Sequence, residues 1–290
     1  MAKLIIGCGY LGERVARLWT GAGEEVFAVT RSSERAGQLA ELGISPIIAD
    51  VAGPVGLPPL PPVETALFAV GYDRTAARAS GPSIREVYAG GARRAALALT
   101  AVERFIYISS TGVYGQATGE EVDEHSPCRP TREGGKAALA AEQALEESPV
   151  AQQLIILRLA GIYGPGRIPR SADLLQGKPI DAPADGFLNL IHVDDAAKII
   201  LLTEGAMPPR TYVVSDGHPV VRGDYYRELA RLLSAPAPTF VEPPADSPAA
   251  QRAGSDKRVN PRRMLAELKP SLAYPSYREG LAAIVAAQAR

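Results

Sequence analysis

Residues 7–12 read GCGYLG, and they follow a short apolar strand and open a predicted helix. Glycines with this spacing in a strand–turn–helix setting are typical of a turn that binds a dinucleotide. Gly7 would permit the tight turn, Gly9 would let the backbone approach a pyrophosphate, and Gly12 would let the helix pack closely on the strand. The phosphates would then lie at the helix N-terminus; the alternative is a glycine-rich turn without a ligand. The predicted ligands in this turn are Gly7, Gly9, Tyr10, Leu11 and Gly12.

The end of the second predicted strand, 25–30, is where such a site distinguishes NAD from NADP. An NAD site usually offers a carboxylate to the ribose hydroxyls at this point, whereas this chain has Arg31 and Ser32 there. The guanidinium fork of Arg31 could pair with a 2′-phosphate, and the alternative is a solvated surface arginine. The sequence therefore favours NADP(H) over NAD(H).

Two further strand ends would complete the cofactor site. Asp50 and Val51, after the third strand, are predicted to contact the adenine. Ala69, Val70 and Gly71, after the fourth strand, would line the ribose side of the cofactor. Next to them, Tyr72 would flank the nicotinamide as a wall of the substrate site rather than as a proton donor.

Apolar strands alternate with helices through the first half of the chain, which predicts a parallel sheet covered on both faces. The predicted strands are 3–6, 25–30, 46–51, 65–70, 104–110 and 153–159, and the predicted helices are 13–20, 34–42, 84–101 and 135–147. Later strands are predicted at 188–193 and 210–214, later helices at 194–204 and 222–234, and a proline-rich loop at 235–250. We therefore predict an α/β fold, a Rossmann-type doubly wound parallel sheet with a smaller C-terminal lobe. The predicted domains are 1–165 plus 189–210 for the cofactor, and 166–188 plus 211–290 for the substrate.

Composition excludes several classes of protein. The 290 residues are 46% hydrophobic and 22% charged, which is ordinary for a globular protein with a large core. The net charge is -1 without a basic or acidic block, so we expect no nucleic acid and no membrane as partners. Cys8 and Cys128 have no metal-like spacing and suit a reducing compartment. With no apolar run of transmembrane length and no signal-peptide pattern at the start, we predict a cytoplasmic protein without a metal site.

Four segments, in order, resemble those of the extended short-chain dehydrogenases/reductases, the NAD-dependent epimerase/dehydratase group. They are 109–115 (SSTGVYG), 158–167 (RLAGIYGPGR), 189–196 (NLIHVDDA) and 274–281 (YPSYREGL). The last, together with KRVN at 257–260, resembles the tail of the atypical branch called YeeZ-like. The resemblance covers nearly the whole chain and implies a nicotinamide cofactor and a small-molecule substrate. Further cofactor contacts are predicted at Ala160, Gly161 and Ile162.

In that group the chemistry needs a Ser or Thr hydroxyl and a Tyr-x-x-x-Lys pair. The tyrosine is the acid/base, and the lysine and the cofactor charge lower its pKa towards neutrality. When the group's pattern Y-x-K-S-K-x-x-x-E-Q is aligned on Glu142 and Gln143, Gly134 takes the tyrosine position and Ala138 the lysine position. The resemblance therefore implies a helix from which both groups are missing.

A second alignment of this helix would put Lys136 in the lysine position and Arg132 in the tyrosine position. It still lacks a tyrosine and loses the Glu-Gln match. In the first alignment Lys136 lies two residues from the lysine position, about 200° around the helix, and points away. Gly134 and Gly135 would then leave an open volume for a substrate or a water; alternatively, they form a helix start against which a neighbouring loop packs.

Three residues are candidates for the chemistry that remains. Ser110 could donate a hydrogen bond to a substrate carbonyl, or it could be a strand-end serine that bonds the backbone. Thr111 is a weaker candidate of the same kind. Tyr114 could act as an acid, although a tyrosine in such a turn more often anchors the loop.

The remaining candidates for the substrate site lie in the later motifs. Tyr163 is expected to be a wall beside the nicotinamide, and Arg167 could meet an anionic substrate or a cofactor phosphate rather than form a surface salt bridge. His192 titrates in the useful range, but a hydrogen-bonded residue joining the two lobes is favoured. Asp194 and Asp195 are most simply caps of a helix N-terminus.

These observations favour an NADP(H)-dependent oxidoreductase acting on a small carbonyl or alcohol. The alternatives are a catalytically weak NADP(H)-binding redox sensor or partner-binding protein, and a nucleotide-sugar epimerase or dehydratase, which would rely heavily on the missing tyrosine. The apolar faces of helices 84–101 and 135–147 could form a homodimer or could face the core.

Overall fold

The computed structural model describes residues 1–73, 81–245, 247, 249–250 and 254–288. Its strands are β1 (Ala2–Ile6), β2 (Glu25–Thr30), β3 (Ser45–Ile48), β4 (Thr65–Phe68), β5 (Arg104–Ser110), β6 (Glu120–Val122), β7 (Leu154–Leu159), β8 (Gly161–Tyr163), β9 (Ile180–Asp181), β10 (Phe187–Leu188), β11 (Leu190–His192), β12 (Arg210–Val214), β13 (Val220–Val221), β14 (Phe240–Val241) and β15 (Lys257–Val259). Its helices are α1 (Gly12–Gly21), α2 (Ser33–Glu41), α3 (Gly91–Ala98), α4 (Glu133–Glu146), α5 (Ser171–Leu175), α6 (Val193–Leu202), α7 (Arg222–Leu233), α8 (Arg262–Leu268) and α9 (Tyr277–Gln288).

Seven strands form the central sheet in the order β12-β7-β5-β4-β1-β2-β3. β1 pairs in parallel with both β2 and β4, so the strand order reverses beside β1. Dinucleotides bind at such a reversal, outside the carboxyl ends of the strands. The prediction of an α/β fold with a Rossmann-type parallel sheet is confirmed.

Several predicted elements differ from the observed ones in extent. The predicted helix 84–101 contains a π-helical turn at Glu86–Gly90, and its α-helical part ends at Ala98. The predicted strand 188–193 is two short strands, β10 and β11, which are separated by Asn189. The Asn189 side chain bonds the backbone of β15. It donates to the Lys257 carbonyl at 2.9 Å and accepts from the Val259 N–H at 2.7 Å.

The chain divides into two compact units. The first unit is Met1–Val113, Glu133–Arg158 and Ala197–Tyr212, and the second is Tyr114–Arg132, Leu159–Ala196 and Val213–Arg290. The second unit therefore includes segments predicted to belong to the cofactor domain. The reason is strand pairing, since β6 pairs with β15 and β8 pairs with β11.

Each unit has its own core. In the first unit, residues such as Leu4, Phe68 and Phe105 are fully buried between the sheet and its helices. In the second, buried tyrosines and leucines, Tyr225 and Leu229 among them, pack between α5, α7 and α9. Within the described part of the chain, no helix is both long and apolar enough to span a membrane.

Candidate functional site

The glycine turn of the first unit has the geometry that close backbone packing requires. Gly7 has φ +94°, and a Cβ there would lie 2.6 Å from the Val70 backbone nitrogen. A Cβ at Gly12 would lie 2.6 Å from the Gly7 carbonyl oxygen. At Gly9, by contrast, a Cβ would meet none of the described atoms within 4 Å. Two glycines are thus needed by the fold, whereas Gly9 borders open space.

The rest of the turn is held by its neighbours. The Arg14 guanidinium lies 4.3 Å from the centre of the Tyr10 ring and donates to the Tyr10 carbonyl at 2.7 Å. Leu11 is buried. Burial raises the pKa of the Cys8 thiol to about 11, so this cysteine is a neutral, packed residue rather than a nucleophile.

The first turn of α2, the helix that follows β2, carries an arginine that the sequence analysis missed. Ser32 caps α2 by accepting the Arg35 N–H at 3.2 Å. The Arg35 side chain donates to the Cys8 carbonyl at 3.2 Å and to Glu13 at 2.5 Å, and it holds the pKa of Glu13 below its usual range. Arg31 is exposed. Arg31 precedes α2 and Arg35 lies in its first turn, so a second arginine just after the strand end was the signal available in the sequence.

Residues at the ends of β3 and β4 also shape the first unit. The Asp50 carboxylate accepts the Ala52 N–H at 2.9 Å, and Val51 is buried with its carbonyl bound to Arg94. The Tyr72 hydroxyl donates to the Pro82 carbonyl at 3.4 Å. The contacts of these residues and of 69–71 with a cofactor or substrate stay predictions.

The two serines at the end of β5 have different surroundings. Ser109 is buried and its hydroxyl donates to Glu142. Ser110 is exposed, and its oxygen accepts the Gly112 N–H at 3.0 Å. The Ser110 hydroxyl therefore bonds the backbone as an acceptor, while its proton has no acceptor among the described residues. Thr111 begins the short 3₁₀ turn Thr111–Val113.

The helix α4 is locked to the sheet through Glu142. Its carboxylate accepts from Arg158 with a Nη2–Oε2 distance of 2.7 Å. Gly134 and Ala138 precede Glu142 by two turns and one turn, so all three share one stripe of the helix. A Cβ at Gly134 would touch only the Ile84 Cδ1, at 3.9 Å, among the described atoms. An open volume at this position thus fits the structure better than a tightly packed helix start.

Lys136 does not occupy the lysine position of the second alignment. Its side chain is 54% exposed and pairs with Glu133 at 2.8 Å, whereas Ala138 is buried on the stripe that faces the sheet. The alignment on Glu142 is therefore the one that the structure supports.

In the second unit, Tyr114 is a buried residue of the VYG turn. Its carbonyl accepts from Lys257. A Cβ at Gly115 would overlap the Arg129 carbonyl, which explains the glycine that follows the tyrosine. The burial of Tyr114 favours the role of a loop anchor, and a role as an acid stays a prediction.

Tyr163 and His192 are each 1% exposed and lie in the core of the second unit. Their rings meet edge to face at 5.2 Å, and the His192 ring lies 3.8 Å from that of Tyr274. The Tyr163 hydroxyl donates to the Ser276 carbonyl at 3.3 Å, and burial raises the pKa of Tyr163 well above its usual value. Both side chains pack within this core, and direct contact with a substrate stays a prediction.

Asp195 is not a helix cap, which corrects the sequence analysis. Its two carboxylate oxygens accept the backbone N–H groups of Ala273 and Tyr274 at 2.8 and 2.9 Å. The buried side chain thus ties the C-terminal segment to α6, a tertiary role that local sequence cannot reveal. Asp194 donates its N–H to the His192 ring nitrogen at 3.3 Å.

Asp216, two residues after the end of β12, is a second residue that sequence reasoning missed. It is 4% exposed, one carboxylate oxygen accepts the His218 N–H at 2.9 Å, and the other has no hydrogen-bond partner in the described chain. Burial raises the pKa of Asp216 to about 7. The signal for Asp216 available in the sequence was an aspartate that follows an apolar strand.

The cofactor contacts predicted in the second unit lie on and beside β8. Ala160 donates its N–H to Val214 and Gly161 donates its N–H to Asn189, each at 2.9 Å, while Ile162 is half-buried. Arg167 is exposed after a turn that its N–H closes on the Gly164 carbonyl at 2.9 Å. The described residues contain no group of three His, Cys, Asp or Glu that could hold a metal ion.

Comparison with known proteins gives a consistent picture. Residues 4–215 match the model of the NAD dependent epimerase/dehydratase family. Protein YeeZ of Escherichia coli strain K12 is 36% identical over 141 residues, which are 48% of this chain and 49% of YeeZ. The match thus spans about half the length of that curated relative.

Solved structures match over the whole chain. A conserved protein of unknown function from Silicibacter pomeroyi DSS has a TM-score of 0.81 at 28% identity, over 100% of this chain and 99% of that one. MoeE5, solved with UDP-glucose and NAD, has a TM-score of 0.78 at 22% identity over the same shares. At 22% identity, the similarity to MoeE5 shows a shared fold only.

Proposed function

Because the chain belongs to the NAD-dependent epimerase/dehydratase family, we propose that it is an NADP(H)-dependent oxidoreductase for a small carbonyl or alcohol that works without a Tyr-x-x-x-Lys pair. The bound nicotinamide would supply or accept the hydride. In the reducing direction, Ser110 donates a hydrogen bond to the carbonyl oxygen, and that oxygen takes its proton from water, the substrate or another side chain.

The observation that carries this proposal is the contrast among the three glycines of the turn. Gly7 and Gly12 are required for packing, but a Cβ at Gly9 would extend into open space. A purely structural turn has no need of a glycine there. Close approach of a pyrophosphate does need one, so the residues present fit a dinucleotide.

The preference for NADP(H) rests on two arginines around the N-terminus of α2. Arg31 is exposed, and Arg35 is anchored on the Cys8 carbonyl and on Glu13. Neither Arg31 nor Ser32 offers the carboxylate that the ribose hydroxyls of NAD usually meet. Two guanidinium groups instead suit a 2′-phosphate.

A redox sensor or partner-binding protein is the second candidate. It is favoured by the helix stripe on which Gly134 and Ala138 replace the acid/base pair. An epimerase or dehydratase acting on nucleotide sugars is weaker, because that chemistry depends on the same pair. A cytoplasmic location and a homodimer also remain proposals.

A fluorescence titration with NADPH and NADH, followed by a panel of carbonyl substrates on the same sample, tests these alternatives. Tighter NADPH binding with turnover supports the oxidoreductase. Tight NADPH binding without turnover of any substrate in the panel favours the redox sensor. Failure to bind either NADPH or NADH would overturn both the oxidoreductase and the sensor proposals.

A further inference from the structure

One buried hydrogen-bond network of the first unit ties the end of β5 to α4 and to the end of β7. Ser109 and Arg158 are each the next-to-last residue of their strands, and β5 and β7 are neighbours in the sheet. Glu142 of α4, which is 1% exposed, bonds both of them. The network therefore lies at the carboxyl edge of the sheet, outside which dinucleotides bind.

Glu142 is the acceptor in this network. Arg158 donates from Nε to the two carboxylate oxygens, at 3.1 and 3.3 Å, and from Nη2 to Oε2 at 2.7 Å. The Ser109 hydroxyl donates to Oε1. An ionised carboxylate has no proton to donate, so the direction of each bond is fixed. All three residues are buried, and a satisfied buried network of this kind makes its side chains rigid.

The position of Ser109 determines where the next side chain points. Successive side chains of a strand lie on opposite faces of the sheet, so Ser110 points away from the face on which Glu142 holds Ser109. Ser110 is exposed, and its oxygen accepts the Gly112 N–H at 3.0 Å. The Ser110 oxygen is thus held by an amide, and its proton is directed away from that amide.

The need to dock α4 on the sheet does not account for this network. Apolar contacts already dock the helix, through fully buried residues such as Ala141 and Leu145. Apolar side chains of similar volume often replace a buried ion pair without loss of stability. A charged pair that is bonded to the serine beside Ser110 instead suits a site that must keep one geometry.

We propose that Ser109 and Glu142 are positioning residues that hold the Ser110 hydroxyl towards the substrate carbonyl. The word substrate rests on the proposed function, whereas the hold on Ser110 rests on the hydrogen bonds alone. A protein that only binds NADPH has no need of an oriented hydroxyl at this strand end. The network therefore favours the oxidoreductase over the redox sensor.

The test needs a change that releases Ser110 but keeps α4 docked. Ser109→Ala removes one hydroxyl and leaves the pair of Glu142 with Arg158, whereas Ser109→Thr keeps a hydroxyl that can donate. All variants are made in the full chain. Thermal unfolding and NADPH affinity are measured on each before its kinetics, so that a folded protein with bound cofactor is compared throughout.

The matched control is Thr203→Val. Thr203 also belongs to the first unit and is fully buried, and its hydroxyl donates to the Ile200 carbonyl at 2.6 Å. The variant thus removes a buried hydroxyl of the same kind from a position outside the network. It should match the wild type in turnover.

The kinetic measurement is a double-mutant cycle with Ser110. Ser109→Ala should lower kcat about tenfold and leave KM within about twofold, since a small displacement of a reacting group slows the chemical step. In the Ser110→Ala background the same change should cost nothing further, because no hydroxyl remains to be positioned. Ser109→Thr should recover kcat. Losses of kcat that add in the double variant would mean that Ser109 acts through the fold, and would overturn the proposal.

A second measurement needs no turnover. The exchange of the Gly112 amide, followed by NMR on ¹⁵N-labelled protein, reports its bond to the Ser110 oxygen. Ser109→Ala should accelerate this exchange about tenfold, as expected for the loss of one hydrogen bond, and Thr203→Val should leave it unchanged. Unchanged Gly112 exchange in folded Ser109→Ala would overturn the proposal. If Ser109→Ala does not fold, Glu142→Gln, which keeps the shape of the side chain and removes its charge, is judged by the same two outcomes.

Failure of the proposed function leaves a different result. Wild-type turnover in Ser110→Ala, or no turnover by the wild type, together with faster Gly112 exchange in Ser109→Ala, would overturn the chemical role of Ser110 and keep its positioning. Lost turnover in Ser110→Ala, with wild-type turnover and Gly112 exchange in Ser109→Ala, would do the reverse.

Discussion

Glu142 of α4 and Arg158 of β7 form a buried pair, with 2.7 Å between the Arg158 Nη2 and the Glu142 Oε2. The pair fixes which face of α4 meets the sheet, because a buried carboxylate is costly to separate from its partner. Gly134 and Ala138 lie on the same face. That Gly134 and Ala138 take the positions of the family's tyrosine and lysine stays a prediction, and the pair shows which stripe of α4 they share with Glu142.

The first prediction restores the missing tyrosine. Gly134→Tyr should fold with a stability within about 1 kcal/mol of the wild type, because a glycine is removed from a helix and, among the described residues, its Cβ meets only Ile84. With a substrate that the wild type accepts, NADPH oxidation should accelerate by about tenfold or more, since a positioned phenol can donate the proton.

The control for this prediction is Gly135→Tyr, because Gly135 is buried on another face of α4. That variant should be destabilised and should gain no activity. Thermal unfolding and NADPH oxidation are measured on both proteins. A folded Gly134→Tyr variant with an unchanged rate would contradict the role of position 134.

The second prediction distinguishes the role of the glycine turn in folding from its role in cofactor binding. Gly9→Ala should keep the wild-type melting temperature, because the new methyl group meets open space. Its affinity for NADPH should fall by about tenfold or more, since that space is where the pyrophosphate would lie. Calorimetric titration measures the NADPH affinity, and thermal unfolding measures the melting temperature.

Substitutions at two further glycines serve as controls for the Gly9→Ala variant. Gly12→Ala should lose both stability and binding, because its Cβ would lie 2.6 Å from the Gly7 oxygen. Gly37→Ala, within α2, has open space and should gain about 0.5–1 kcal/mol without a change in binding. Wild-type NADPH affinity in Gly9→Ala would argue that the turn binds no dinucleotide.

The third prediction concerns the choice of cofactor. Arg31→Ala and Arg35→Ala should each weaken NADPH binding by about tenfold and leave NADH binding within about twofold, because only NADPH carries the 2′-phosphate. Arg17→Ala is the matched control, since Arg17 also pairs with Glu13 but is 55% exposed on α1. Equal losses for both cofactors would remove the case for NADP(H).

Much of the fold could be predicted from the sequence because its signals are local. Apolar runs separated by helical periods predicted the parallel sheet, and the strand Arg210–Val214 has the predicted bounds. The glycine turn was predicted from its local strand–turn–helix pattern, although the constraint on Gly7 comes from the backbone of Val70 on another strand end. The domain boundaries differ because they depend on the pairing of β6 with β15, more than 100 residues apart in sequence.

The candidate site was less predictable, since its polar residues act across the fold. Asp195 looks like a helix cap in sequence, yet it binds the backbone of residues 273–274. Lys257 looks like a surface lysine in a basic segment, and only the structure shows that it is buried beneath the Tyr114 turn. Local patterns carry no signal for such long-range partners.

The fourth prediction tests the chemistry at the end of β5. Ser110→Ala should lower turnover by at least about tenfold, since in the proposed function its hydroxyl donates a hydrogen bond to the substrate oxygen on which charge develops. Cofactor affinity should stay unchanged. Thr111→Val, which removes the neighbouring hydroxyl, should have a smaller effect. Turnover by Ser110→Ala at the wild-type rate would exclude this role.

The fifth prediction follows from the buried carboxyl of Asp216, whose pKa is raised to about 7 in the folded protein. A free aspartate has a pKa of about 3.9. Between these two values the folded state binds more protons than the unfolded state, so the free energy of unfolding decreases as the pH rises. The contribution is complete below about pH 4 and is lost above about pH 7.

Asp216→Asn cannot ionise, and it keeps an oxygen that can accept the His218 N–H. We expect this variant to be more stable than the wild type by about 2–4 kcal/mol at pH 8 and nearly equal to it at pH 4. Urea unfolding of both proteins across this range isolates the contribution of Asp216, because all other groups titrate alike. The control is Asp224→Asn, which changes a half-exposed aspartate paired with Arg227. Parallel stability curves for Asp216→Asn and the wild type would mean that Asp216 is already ionised in the fold at low pH, and that its second oxygen has found a partner such as water.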